Sequence, residues 1–167
     1  MRPWEKRSVE EANLLNPAFL TIISYQCIKG YSETVESGAP YILSFLVSPL
    51  VLHKKTRESL PRAVSTSFST WIIRVQGSQA RVQYAERTRS LVPCVKEAMA
   101  FGLAHKLFTL DSNSSLVISQ DVRDPSRSND DFTDEVADCF KKAHFCGRWI
   151  GRAGRIETVM ALLGVKP

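Results

Sequence analysis

The sequence is poor in the features that announce chemistry. Its 167 residues include three histidines and four cysteines, and neither type is spaced as a ligand set. There is no GxxxxGK[ST] loop to cradle a phosphate, which excludes a nucleotide site of that kind. GxSxG, HExxH and paired CxxC motifs are missing too, which removes the commonest hydrolase and zinc-site signatures. Long apolar runs are also lacking. The one apolar stretch, Ala39 to Leu52, is broken by Ser44, Ser48 and Pro49. It is shorter than the roughly 18 residues of a membrane span and reads as a buried helix. Nor does charge of one sign dominate: 22 basic against 17 acidic side chains leave a net +5. That is a weak bias toward anionic surfaces, below what a dedicated nucleic-acid binder concentrates, and an acidic protein face satisfies it equally well. Cys27, Cys94, Cys139 and Cys146 form no disulfide framework, and the charged start Met1–Arg7 lacks the apolar core of a secretion signal. The expectation is a cytoplasmic chain with reduced thiols and no membrane partner.

What is present suits one domain over residues 1–167. Hydrophobic residues at 44% and charged residues at 23% match globular averages and argue against disorder. Asn16-Pro17 is a helix start, followed by Phe19, Ile22, Ile23 and Cys27 at helical spacing, with Gly30 closing the segment. Pro40 opens the apolar helix through Leu52, with Pro49 a kink or an early boundary. A helix over Ser65–Val75 carries Phe68, Trp71, Ile72 and Val75 on one face. Another from Gln79 to about Ser90 turns Val82, Tyr84 and Ala85 inward, and Pro93 starts the next, with Val95, Ala98, Met99, Gly102 and Leu103 as its stripe. Leu107–Leu110 and Ser115–Ser119 flank the turn-forming Asp111–Ser114, which predicts a hairpin near 107–119. Residues 120–131 read as an exposed, mobile loop. Thr133 caps a helix through Ile150, Gly151 and Gly154 break the chain, and Ile156–Leu163 stops at Gly164, so C-terminal helices fill 133–164.

The fold class is therefore mainly α (α+β): a compact helical domain with one hairpin. Three helices followed by a hairpin is also the order of a winged-helix-like segment, with Pro93–His105 in the recognition-helix position. Lys96, Glu97 and Lys106 are the charged groups there, poor equipment for reading bases, so such a segment suits protein contact better.

Two basic groupings are candidate partner-binding surfaces. Arg148, Arg152 and Arg155 recur at i, i+4, i+7, so a continuing helix would align three guanidiniums beside Trp149. Arg and Trp dominate binding hot spots, and the same set could grip phosphates. The bland alternative is a helix tail with ordinary basic residues and a core Trp. His53, Lys54, Lys55, Thr56 and Arg57 form the second grouping. Its bland alternative is positive charge offsetting the negative pole of the apolar helix that ends beside it. Asn16 and Pro17 are structural. Cys139, His144 and Cys146 come nearest to a metal set, but spacings of five and two on one helix cannot converge on an ion, and buried apolar cysteines are the simpler reading. A cysteine with His105 or His144 as base arises by chance in many chains. Asp130, Asp131, Asp134, Glu135 and Asp138 could hold a cation, yet Asp134 and Glu135 fall in a first helical turn, where the dipole favours them. No catalytic, cofactor-binding or metal set emerges, and no cofactor is expected.

Several stretches, taken in order, carry a resemblance. They are Glu11-Ala12-Asn13-Leu14-Leu15-Asn16-Pro17-Ala18-Phe19, Phe45-Leu46-Val47-Ser48-Pro49-Leu50-Val51-Leu52-His53, Thr56-Arg57-Glu58-Ser59-Leu60-Pro61, Lys142-Ala143, Gly147-Arg148-Trp149-Ile150 and Leu162-Leu163-Gly164-Val165-Lys166-Pro167. The chain resembles the small middle components of bacterial three-component ABC systems, in which an ABC ATPase of the SMC/Rad50 kind is encoded with a linker protein and an effector. The resemblance implies an adaptor without catalysis in an antiphage or conflict system. Its partners would be the ATPase and the effector, with DNA reached through the complex. The competing reading from the residues is a winged-helix nucleic-acid-binding or regulatory protein. A cysteine-dependent enzyme is a third.

Overall fold

The computed structural model describes residues 7–78, 81–127 and 132–166. The chain runs through α1 (Val9–Leu14), α2 (Pro17–Ser32), α3 (Ile42–Leu52), α4 (Lys54–Ser59), α5 (Phe68–Arg74), α6 (Tyr84–Ala104), β1 (Phe108–Leu110), β2 (Leu116–Ile118), α7 (Asp134–Arg152) and α8 (Ile156–Leu163). It is mainly helical, with a small antiparallel hairpin. No helix among the described residues is long and apolar enough to cross a membrane.

Capping chemistry sets where the central helix begins. The Asn16 Oδ1 accepts the Ala18 N–H at 2.8 Å, and Pro17 occupies the first turn, where its missing donor costs nothing. The helix does not stop at Gly30 as expected; it runs to Ser32. Gly30 is there because α7 crosses α2 at that point. A Cβ on Gly30 would run into the His144 carbonyl, and one on Gly147 would run into the Cys27 carbonyl. The two backbones thus approach through reciprocal glycines, and this is the most extensive helix pairing in the protein. Gly151, expected to break the chain, lies inside α7 and makes room for Thr34.

Around this pair α3 and α6 complete the core, with Leu20, Ile23, Leu43, Leu46, Leu50 and Ala98 fully buried. Pro49 sits inside α3 without ending it, and the Ser48 hydroxyl bonds the Ser44 carbonyl at 2.9 Å. Tyr84, at the start of α6, donates its phenol to the Leu46 carbonyl at 2.6 Å.

The expected break at Pro93 is absent. One 21-residue helix replaces the two helices anticipated on either side, and it starts at Tyr84 after Gln83 in a left-handed conformation. Pro93 removes one backbone donor on the solvent side. Tyr84, Thr88, Cys94, Val95, Ala98 and Met99 meanwhile bury a continuous face along both halves. Val82, expected inward, lies ahead of this helix and is exposed; Gln79 lies outside the described residues. The order around the hairpin is accordingly α5, α6, hairpin. The hairpin itself forms as expected, pairing Phe108 with Ile118 and Leu110 with Leu116, and Ala39 bridges to Leu116 on its other side.

The described part of residues 120–131 is anchored rather than free. Asp124 accepts from Lys29 Nζ at 2.7 Å and from Gln26 Nε2 at 2.8 Å, and a 3-10 turn over Pro125–Arg127 follows. Burial alone would push the Asp124 carboxyl up, but hydrogen bonds from Lys29, Ser126 and Gln26 overcome it and bring its pKa down to about 2. A depressed carboxylate adds stability above its unfolded pKa and loses it as pH falls through the folded value.

Two predictions follow from this packing. Gly147→Ala, which forces a methyl into the α2 backbone, should lower stability by about 3 kcal/mol. Gly77→Ala, at φ +76 with nothing within 4 Å of the added Cβ, should cost only about 1 kcal/mol of backbone strain. Equal losses in urea titrations would contradict the close-approach reading. Asp124→Asn should destabilise by up to about 2 kcal/mol at pH 7. Its deficit against the parent should shrink steadily in melts taken between pH 4 and pH 2, and a deficit independent of pH would refute the ionic anchor.

Candidate partner-binding site

Trp149 does not stand on the surface. It is 1% exposed, because α7 brings it against α5 and the loop before it. Its ring stacks on Phe68 with centroids 4.4 Å apart and meets Trp71 edge-on at 5.3 Å. Its Nε1–H donates to the Thr66 carbonyl at 2.7 Å. The indole is thus a core residue with its polar atom satisfied.

The three arginines do not align beside it. α7 ends at Arg152, and Gly154 at φ +89 redirects the chain. Arg155 becomes the residue preceding α8, with its side chain 84% exposed and Nε 3.5 Å from Glu157. Arg148 faces α2, its Nε 3.4 Å from Glu33, whose other oxygen lies 2.8 Å from His144 Nε2. What the structure brings together is Trp149 and Arg152. They belong to one open groove of about 770 Å³ between residues 64–69, the loop before α5 and its first turn, and α8, with Trp149 in the floor, Arg152 on the rim, and Thr158 and Leu162 opposite.

The second grouping divides as well. Lys54 and Lys55 are exposed, whereas Thr56 and Arg57 are buried. Arg57 is a structural cation. Its Nη1 donates to the Val51 carbonyl at 2.6 Å, its Nη2 to Glu135 at 2.7 Å and its Nε to Asp138 at 2.8 Å. Burial opposes its charge, but the bonds to the two carboxylates outweigh that and raise its pKa. The Arg57 charge offsets the C-terminal pole of α3 by direct bonding to a carbonyl of its last turn. His53 caps α4 by accepting the Thr56 N–H on Nδ1 at 3.3 Å. Its burial, with Arg87 and Lys55 nearby, lowers the imidazole pKa.

Two of the acidic residues have cationic partners, and Asp134 is exposed in the first turn of α7. Glu135 and Asp138 are the partners of Arg57; Asp130 and Asp131 lie outside the described residues. Burial pushes the thiols of Cys27, Cys139 and Cys146 up, Cys146 to about 12, so these three stay protonated at neutral pH. Among the described residues no group of three or more His, Cys, Asp or Glu side chains could hold a metal ion.

One surface escaped the sequence reading. A groove of about 560 Å³ lies between the start of α3, one side of α6 and residues 164–166, with Tyr41, Arg89, Val92, Lys96 and Lys166 around it. Its signal was the spacing Arg89, Val92, Lys96, which a helix divided at Pro93 hides.

Over residues 4–167 the chain matches the family described as MC3: ABC-three component (ABC-3C) system Middle Component 3, and it belongs to that family. Comparisons with curated proteins and with solved structures found no match.

The burial of Trp149 changes what its removal tests. Trp149→Ala should cost about 3–5 kcal/mol of stability, the range for emptying a large core site. Arg152→Ala should leave the thermal midpoint within about 1 °C of the parent. A wild-type melt for Trp149→Ala would place the indole on the surface after all.

Proposed function

We propose that this middle component is a non-catalytic adaptor that couples an SMC/Rad50-like ABC ATPase to an effector protein in a bacterial defence system. The observation that carries the reading is the family match over residues 4–167. A chain devoted almost end to end to the middle part of a three-part system works through its contacts with the other two. The described surface supports this. The two grooves described above are open and carry cations, Arg152 at one and Arg89, Lys96 and Lys166 at the other, as contact surfaces would. In this reading Arg152, with Arg155 close by in the chain, forms one contact around the Trp149 groove, and Lys54 and Lys55 form another. Arg148, Trp149, His53, Thr56 and Arg57 hold those surfaces in place. ATP and DNA chemistry then belong to the ATPase, and DNA meets this chain through the complex.

The test is co-purification. The tagged chain, expressed with its neighbouring genes and isolated at moderate salt after nuclease treatment, should bring down a long ABC ATPase and a third protein in fixed ratio. Arg152→Glu should reduce that recovery without changing the melt. Recovery of the chain alone, or only with nuclease-sensitive nucleic acid, overturns the adaptor reading in favour of direct nucleic-acid binding.

A further inference from the structure

The groove between α3, α6 and residues 164–166 has a floor and a rim of opposite character. Its floor is apolar: Phe45 and Leu46 are buried beneath it, and Ile42 and Val92 are half-buried along its sides. Tyr41 stands at its mouth, 55% exposed, with its ring edge-on to Phe45 at 5.5 Å. Three cations surround it, Arg89 and Lys96 from α6 and Lys166 from the opposite wall, and no carboxylate lines it among the described residues. None of the three makes an ion pair among the described residues.

The far wall is built rather than accidental. Gly164 takes φ +72 at the end of α8, a conformation that glycine adopts without a Cβ penalty. The Val165 N–H then bonds the Met160 carbonyl at 2.9 Å, and this closure sets Val165 and Lys166 against the groove.

We propose that this groove is a docking site for an acidic amphipathic helix of a partner protein. The proposal rests on the adaptor reading and adds the chemistry that one partner presents. Charge complementarity selects the occupant: three cations around an apolar floor, none ion-paired among the described residues, call for a segment apolar on one face and flanked by Asp or Glu. Arg89 and Lys96 are two helical turns apart, about 10 Å along α6, so carboxylates spaced i, i+7 on the incoming helix would meet both. Tyr41 is the exposed aromatic that such an interface uses as an anchor. Duplex DNA fits less well. Its phosphates would engage the cations but leave the concave apolar floor without a partner.

The test measures binding of the purified chain to the purified ATPase and effector of its own system. The double charge reversal Arg89→Glu/Lys96→Glu should weaken binding to one of them by about tenfold or more, with an unchanged melt because both side chains are exposed. The reversal Arg123→Glu/Lys141→Glu, the same charge change at exposed sites elsewhere, should alter affinity by less than about twofold. A photo-reactive phenylalanine analogue in place of Tyr41 should cross-link to an Asp/Glu-rich amphipathic helix in the same partner. Wild-type binding left intact by Arg89→Glu/Lys96→Glu overturns the groove while sparing the adaptor. So do cross-links that land on DNA or on a segment without acidic residues. A wild-type chain that binds neither component overturns the adaptor reading and the groove with it.

Discussion

The structure depends on the crossing of α2 and α7 at backbone contact. Gly30 of α2 lies against the His144 carbonyl and Gly147 of α7 against the Cys27 carbonyl, so a side chain at either glycine would wedge the helices apart. Close approach brings many backbone and Cβ atoms into dispersion contact at once, which compensates for the helix-propensity cost of two interior glycines. It also explains the small residues nearby. Cys27, Ala143 and Cys146 are fully buried on the two helices, where the two cysteine thiols act as compact apolar groups that burial keeps protonated. Everything else is hung on this pair. α3 and α6 pack against α2, and α7 carries the tryptophan that holds α5.

A second constraint is the buried guanidinium of Arg57. It joins three elements in one step: the last turn of α3 through the Val51 carbonyl, its own helix α4, and the first turns of α7 through Glu135 and Asp138. A cation drawn out of water is tolerable only when its donors are satisfied, and here all three bonding nitrogens have acceptors at short range. The carboxylates are themselves half to mostly exposed, so water retains part of their solvation and the cost of burying the pair is borne mainly by the arginine. The basic run after α3 therefore has two faces. Lys54 and Lys55 are exposed, while Thr56 and Arg57 are spent on the fold.

Much of this architecture is legible in the sequence because it rests on local rules. Asn16-Pro17, Thr133 and Gly164 mark helix ends by capping chemistry, and the tetrad Asp111–Ser114 marks the hairpin turn. What the sequence hides is whatever tertiary packing decides. Pro93 reads as a helix start but sits on the solvent side of a long helix whose buried face overrides one lost hydrogen bond. Gly30 and Gly151 read as stops but are contact points, because glycine serves equally as a terminator and as a place where another chain comes near. The arginine spacing around Trp149 left a surface patch and a core Trp both open, and tertiary packing decides between them by burying the indole against Phe68 and Trp71. From sequence, Gly151 and Gly154 both warned that the helical phase would not continue to Arg155, and only Gly154 redirects the chain.

The two grooves differ in design, and α8 or the turn after it borders each. Around Trp149 the floor is aromatic and the rim is made of loop hydroxyls with Arg152; between α3 and α6 the floor is aliphatic and aromatic and the rim holds three cations. Thr158 and Leu162 of α8 border the first, and Gly164–Lys166, directly after α8, border the second. That helix is held by Val159, Met160 and Leu163 in the core and by Arg81, which donates to the Leu162 carbonyl at 3.3 Å. It is a short element compared with the glycine-locked α2–α7 pair. One groove thus takes a wall from this eight-residue helix and the other from the turn that ends it.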